Sequence, residues 1–161
     1  MRRATAFFLT VFIFVCSFAF VSDVEAYDTL SVYLDGNQLY FDVPPCVINN
    51  TTLVPVRTVL EAMGAIVSWD AGMHMTVASK NGTVVWIGEN IPAMSVEKNG
   101  YSYKLNFGMN PYVINGRILV PIRPLAEAFG LSVSWNSYSR SVYLYSFPDQ
   151  SYANVVYNQS Y

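Results

Sequence analysis

The chain has 161 residues, of which 53% are hydrophobic, 16% are aromatic and only 12% are charged. Its formal net charge is −2 and the sequence contains no run of Lys and Arg, so nucleic acid and anionic membrane surfaces are not expected partners. The length suits one compact domain of ordinary size.

The N-terminus has the pattern of a secretory signal peptide. A basic head precedes an apolar run over 7–21, and Val24 and Ala26 suit a cleavage site. An apolar run of about 15 residues is short for a membrane span of about 20. The sequence therefore predicts that residues 1–26 are a signal peptide cleaved near Ala26, which makes the mature chain secreted or attached to the cell surface. An uncleaved N-terminal anchor is the alternative, and no other membrane segment is expected.

Two hairpins are predicted from alternating apolar residues. The first covers 30–43 around Asp35-Gly36-Asn37, and the second covers 94–105 around Asn99-Gly100, a dipeptide typical of tight hairpin turns. Tyr33 and Tyr40 share the outward parity of the first hairpin. We expect them to lie side by side across the two strands.

One 26-residue segment is written twice. Residues 45–70 read PCVINNTTLVPVRTVLEAMGAIVSWD and residues 111–136 read PYVINGRILVPIRPLAEAFGLSVSWN, with 14 of 26 positions identical at a constant offset of 66. Self-similarity at a fixed period indicates repeated structural units. The chain is thus predicted to contain two duplicated units, about 30–88 and 91–146.

Each copy predicts a short strand, a polar turn, a helix and another strand. The helix starts near Pro55 or Pro121, carries an apolar stripe at i, i+3, i+4 and i+7, and ends at Gly64 or Gly130. Two helical turns are unstable alone, so each helix must pack on a sheet. The predicted fold is α+β, with two duplicated units of twisted antiparallel sheet, each packed on a short helix, sharing one core. The domain covers 27–146, and a polar, Tyr-rich tail covers 147–161.

The repeated motif P-x-x-I-N-x-x-x-L-V-P-x-R-x-x-x-E-A-x-G-x-x-V-x-W-[DN] resembles the N-terminal domain of copper amine oxidases. That stalk-like domain occurs in secreted and surface proteins of Gram-positive bacteria. The resemblance covers about 30–146 and implies a twisted antiparallel sheet wrapped around a helix, in a non-catalytic module appended to enzymes and envelope proteins. The copper and the quinone of those oxidases belong to a separate catalytic domain, so the resemblance implies no cofactor here.

Copper chemistry has one candidate location. An oxidase copper site needs three imidazoles, whereas this chain has a single histidine, His74. Met73 and Met75 beside it are soft ligands suited to Cu(I). In a strand, however, the two methionines would lie on one face and His74 on the other. An ordinary strand with methionine filling the core is the favoured interpretation.

The remaining repeated residues are expected to be structural. The two Arg–Glu pairs at i, i+4 are interpreted as ion pairs on the helix surface rather than ligand clamps. The two tryptophans share parity with Val67 and Val133, which places them in the core. These structural motif residues are Arg57, Glu61, Gly64, Trp69, Arg123, Glu127, Gly130 and Trp135.

The function predicted from these features is binding or spacing, without catalysis. Exposed aromatic rings contact sugars and peptides, so Tyr33 and Tyr40 are the candidate ligand surface, with sheet stabilisation as the alternative. The first hypothesis is an exported stalk or binding module that contacts cell-wall glycan or an envelope protein. The second is a small extracytoplasmic ligand or metal-ion sensor or carrier. No nucleophile, general-base or phosphate-binding motif predicts an enzyme, and the sequence leaves the oligomeric state open.

Overall fold

The computed structural model describes residues 30–146. The strands in this range are β1 (Ser31–Leu34), β2 (Asn37–Gln38), β3 (Cys46–Ile48), β4 (Thr51–Pro55), β5 (Ile66–Asp70), β6 (Met75–Lys80), β7 (Thr83–Gly88), β8 (Ala93–Lys98), β9 (Tyr101–Asn106), β10 (Tyr112–Ile114), β11 (Arg117–Pro121), β12 (Ser132–Asn136) and β13 (Ser141–Tyr145). The helices in it are α1 (Val56–Ala62) and α2 (Ile122–Ala128). The signal peptide predicted at 1–26 and the tail at 147–161 lie outside the described residues. Neither α1 nor α2 is long and apolar enough to cross a bilayer.

The described strands form three sheets. One has the order β5-β6-β7-β8-β9, the second β12-β13-β1-β2, and the third, which we call the central sheet, β10-β11-β4-β3. The protein is therefore mostly sheet with two helices, which confirms the predicted α+β class.

Both helices begin directly after a proline and end before a glycine. Pro55 has φ −58° and Pro121 has φ −54°, and a proline lacks the N–H group that finds no partner at a helix start. Gly64 and Gly130 have φ +80° and +78°, the left-handed conformation that glycine adopts at little steric cost. The predicted position and length of both helices are confirmed.

The helices are stabilised by packing, because seven residues are too few for a helix to persist alone. The predicted apolar stripe of α1 is buried, with Met63 at its end only 4% exposed. In α2 the equivalent stripe is buried up to Ala126, and Phe129 is partly buried. Most buried apolar side chains, including those of both helices, belong to one cluster. Every buried side-chain nitrogen or oxygen atom in the described range has a hydrogen-bond partner.

The two copies of the motif meet in the central sheet, where β4 pairs with β11. Val54 lies opposite Val120, and both are fully buried. Val120 stands 66 positions after Val54, so equivalent residues of the two copies face each other. A self-complementary contact of this kind is what a twofold axis produces between identical subunits. Here it occurs within one chain.

The first and last described strands pair in parallel, which corrects the prediction of purely antiparallel sheets. Residues 31–34 and 141–144 both read SVYL, and the pairing aligns the two segments residue by residue. The prediction was wrong because it paired each hairpin only with its neighbours in sequence, whereas parallel strands need a long connection. In the five-stranded sheet, β7 separates β6 from β8, whereas in this sheet β13 contacts β1 directly.

The first hairpin is shorter than predicted. β2 contains only Asn37–Gln38, and residues 39–45 belong to no strand. Pro44 and Pro45 have no N–H group to donate to a neighbouring strand. Val43 is buried in a small second cluster with two leucines of the central sheet. The apolar alternation over 39–43 therefore reflects burial of single side chains rather than a strand.

Candidate functional site

Tyr33 and Tyr40 do not form the predicted pair. Tyr33 lies opposite Gln38, whereas Tyr40 lies beyond the end of β2 and is 82% exposed. The ring of Tyr33 instead stacks on Tyr143, with centroids 5.0 Å apart and an interplanar angle of 12°. Tyr145 extends this stack, 6.5 Å from Tyr143. The predicted side-by-side arrangement is wrong because the partner of Tyr33 comes from the last described strand.

This tyrosine stack stabilises the sheet. Tyr143 stacks against two neighbouring rings, so its aromatic face is engaged within the cluster. Cross-strand aromatic pairs contribute roughly 0.2–1 kcal/mol each. One signal in the sequence could have revealed the stack: the SVYL segment is written twice, and its tyrosines align if the two copies pair in parallel.

Trp69 and Trp135 are not in the core, which corrects the prediction made for them. They are 41% and 44% exposed. Strand parity identifies the face on which a side chain lies, but not whether the helix extends far enough to cover it. Seven helical residues span about 10 Å, whereas a five-residue strand spans about 17 Å. Each tryptophan lies at the end of its strand, beside the start of the helix.

Each tryptophan lines a groove, and the two grooves are built from equivalent residues. We call them the Trp69 groove, with a volume of about 250 Å³, and the Trp135 groove, with a volume of about 440 Å³. Beside the tryptophan, each contains the proline before the helix, an arginine of the first helical turn and a residue of the next strand. These are Pro55, Arg57 and Thr76 in the first groove, and Pro121, Arg123 and Val142 in the second. Every member of the second set stands 66 positions after its counterpart.

The opposite wall of each groove comes from the other copy of the motif. Residues 116–118 line the Trp69 groove, and residues 50–52 line the Trp135 groove. These two segments are also 66 positions apart. Each groove therefore needs both copies, which is why neither could be found by examining one copy of the motif.

The arginines of the Trp69 groove are both paired with carboxylates. Arg57 lies 3.4 Å from Glu61 on the surface of α1, in the helix pairing that its spacing predicts. Arg117 lies 2.7 Å from Asp42. Glu89 also lines this groove. The positive charge of the Trp69 groove is thus largely balanced within the protein.

The Trp135 groove has a different charge balance. Among the described residues that line it, Arg123 is the charged one, and no Asp or Glu is present. The Arg123 guanidinium is 3.8 Å from the Glu127 carboxylate, and it donates a long 3.5 Å hydrogen bond to the carbonyl oxygen of Val133. Its side chain is 60% exposed. Arg123 is therefore held more loosely than Arg57 or Arg117.

The ion pair between Arg117 and Asp42 predicts a pH dependence of stability. The hydrogen bond from Arg117 lowers the pKa of Asp42 below its ordinary value of 3.8. A carboxyl group whose pKa falls on folding stabilises the protein above its unfolded pKa, and this contribution is lost as the pH drops through the folded pKa. We expect Asp42→Asn to lower the melting temperature at neutral pH, and the difference from wild type to shrink as the pH is lowered from neutral to 2.

Thermal unfolding followed by circular dichroism at both pH values tests this expectation. Glu97→Gln, at an exposed position in β8, is the control and should change the melting temperature little at either pH. A deficit of Asp42→Asn that is equally large near pH 2 would contradict the role assigned to the charge.

The metal-ligand candidates lie mostly in a turn. Met73 and His74 connect β5 to β6, and β6 begins at Met75, so only the last of the three residues lies in a strand. His74 has φ +52°, and its ring meets Trp69 edge-on with centroids 6.2 Å apart. Within 30–146, no group of three or more His, Cys, Asp or Glu side chains could hold a metal ion. Met73 is 54% exposed, which corrects the expectation that it fills the core, and metal binding by Met73, His74 and Met75 stays the less favoured alternative.

The residue after each tryptophan caps an equivalent turn. The Asp70 Oδ1 atom accepts a 2.9 Å hydrogen bond from the Met73 N–H group. The Asn136 Oδ1 atom accepts 2.9 and 3.1 Å bonds from the N–H groups of Tyr138 and Ser139. An aspartate and an asparagine both supply the acceptor oxygen that this turn requires, which explains why the motif ends in either residue.

Comparison with known proteins identifies the family. The model described as Copper amine oxidase N-terminal domain matches residues 33–144, and a second, overlapping match covers 97–158. No curated protein and no solved structure matches the chain. The matched domain is a non-catalytic module, distinct from the catalytic domain of the oxidases. The first match alone covers more than half of this chain, which therefore belongs to the Copper amine oxidase N-terminal domain family.

Proposed function

We propose that this protein is an exported, non-catalytic module of the bacterial cell envelope that binds cell-wall glycan through its two tryptophan grooves. The observation that carries the proposal is the half-exposed tryptophan at the same place in both grooves. The C–H face of a sugar ring packs on the flat face of an aromatic ring, and the neighbouring arginine can donate hydrogen bonds to sugar oxygens. Concave sites with aromatic walls and a few polar groups are typical of ligand binding.

The chemistry of the grooves supports binding rather than catalysis. Their described lining contains tryptophan, arginine, threonine and proline, with Glu89 as its carboxylate. A nucleophile activated by a base, or a pair of carboxylates for acid–base catalysis, would be needed for hydrolysis of a glycan. Export is supported by the signal pattern over 1–26, and an envelope protein is the alternative occupant of the grooves.

The duplication supports the same proposal. The motif copies face each other at Val54 and Val120, and buried residues of both copies belong to one cluster, as expected for two duplicated units that share one core. Such a chain presents two equivalent sites. Two linked sites on a polymeric ligand can raise the overall affinity by roughly 10²- to 10⁴-fold without any new contact, whereas a spacer would need neither groove.

A cell-wall pull-down tests the proposal. The full-length chain is incubated with purified Gram-positive cell wall, and the fraction that sediments is measured. We expect wild type to sediment and Trp69→Ala/Trp135→Ala to lose binding at least about tenfold, because large aromatic side chains dominate binding energy in most interfaces.

The control variant also loses two exposed aromatic rings, but at positions that line neither groove. Tyr101→Ala/Tyr138→Ala removes two rings that are 77% and 99% exposed, and it should bind like wild type. Circular dichroism confirms that each variant is folded. The proposal is overturned if intact protein stays in solution or if the tyrosine variant loses binding equally.

A further inference from the structure

We infer that the two grooves accept different sugars: the Trp135 groove binds a saccharide unit that carries a carboxylate, held by Arg123, and the Trp69 groove binds an uncharged unit. This inference rests on the proposed glycan binding and names the ligand class of each site. The grooves share their tryptophan and arginine positions, so the difference must come from the residues that diverged after duplication.

Arg123 is available to an anion. Its guanidinium is 3.8 Å from Glu127, too far for a hydrogen bond, and both side chains are more than half exposed. Exposed ion pairs of this kind contribute little free energy, so exchanging Glu127 for a ligand carboxylate costs little. A guanidinium can bind a carboxylate through two parallel hydrogen bonds, which are stronger than bonds between neutral groups.

The Trp69 groove is unfavourable for the same ligand. Arg117 is held by Asp42 at 2.7 Å, so a ligand carboxylate would have to displace that contact. Glu89 lines the groove and repels an anion. At the positions equivalent to 116–118, the Trp135 groove has Asn50, Thr51 and Thr52, whose side chains can hydrogen-bond to sugar oxygens without adding charge.

Size points in the same direction. Ligand pockets usually measure about 300 to 1,000 Å³. The Trp135 groove, at about 440 Å³, lies within this range, whereas the Trp69 groove, at about 250 Å³, lies just below it. The larger groove has room for a sugar ring with a carboxylate substituent, and the smaller one suits a ring without that substituent.

Calorimetric titration of the full-length chain with a matched pair of sugars tests the inference. The first is the disaccharide of N-acetylglucosamine and N-acetylmuramic acid, and the second is its methyl ester, which lacks only the charge. A galacturonic acid disaccharide distinguishes a lactyl carboxylate from a uronic one. We expect wild type to bind the acid about tenfold more tightly than the ester, as one charge-assisted hydrogen-bond pair allows. Raised salt should reduce this preference.

Arg123→Gln and Arg57→Gln form a matched pair of variants, since the two arginines stand 66 positions apart in equivalent grooves. Arg123→Gln should abolish the preference for the acid, because it weakens binding of the acid more than binding of the ester, while Arg57→Gln should retain the preference. Both side chains are about half exposed or more, so the variants should fold, and melting curves confirm it.

The outcomes separate this inference from the proposed function. Equal binding of acid and ester by wild type, or equal loss in both variants, overturns the assignment of the carboxylate to Arg123. If the chain sediments with cell wall but binds none of the three sugars, the ligand class is wrong while glycan binding stands. If it does not sediment with cell wall either, both the inference and the proposed function are overturned.

Discussion

Val54→Asp is expected to unfold the protein at room temperature. Val54 is fully buried at the point where the two copies of the motif face each other. A carboxylate placed there would have neither water nor a positive partner, and a buried unpaired charge is among the most destabilising changes known. We expect a loss on the order of 4 kcal/mol or more, comparable to the whole stability of many domains.

Far-ultraviolet circular dichroism and the dispersion of amide proton signals measure this loss directly. Val113→Asp is the matched control, because it makes the same substitution in the same sheet at a residue that is 51% exposed. It should leave the spectra unchanged. A folded Val54→Asp chain with wild-type stability would contradict the central position of the β4–β11 contact.

Leu60→Ala is expected to destabilise the protein by about 2–5 kcal/mol. Leu60 lies in α1, is fully buried and belongs to the main cluster. The substitution costs the transfer free energy of the lost isopropyl group and leaves a cavity that a short helix can only partly close. Because α1 depends on packing for its stability, the whole helix is sensitive to this change.

Urea unfolding measures the change in free energy. The control is Ile66→Ala, which removes a similar side chain from a residue that is 79% exposed and should change stability by less than about 0.5 kcal/mol. If the two variants were equally destabilised, α1 would not be held by its buried face.

The parts of the fold that depend on local sequence could be predicted. The helices were found because proline, an apolar stripe and glycine mark their start, face and end within ten residues. The turn at Asn99-Gly100 was found because both residues adopt positive φ. The pairing of β1 with β13 was not predicted, because it joins segments from opposite ends of the described chain, and its signal in the sequence is the repeated SVYL segment rather than a local pattern.

The candidate site was only partly accessible from the sequence. Trp69, Trp135, Arg57 and Arg123 were singled out by the repeat, but each was assigned a structural role. Their common location in grooves depends on the opposite wall, which the other copy supplies through the β4–β11 contact. A motif examined one copy at a time does not contain that information. The difference in charge between the grooves likewise depends on Asp42, which lies outside the repeated 26-residue segment.

The contact between β1 and β13 also determines when folding can be completed. Ser31 and Ser141, which face each other, are 110 positions apart in the chain. Closing a loop of this length costs roughly 4 kcal/mol of chain entropy, and contacts between distant segments slow folding. As the chain emerges from the ribosome or from an export channel, β1 precedes the other described strands, and until β13 follows, one edge of β1 is unpaired and open to pairing with another chain. Synthesis of nearly all the described residues must therefore precede closure of this sheet.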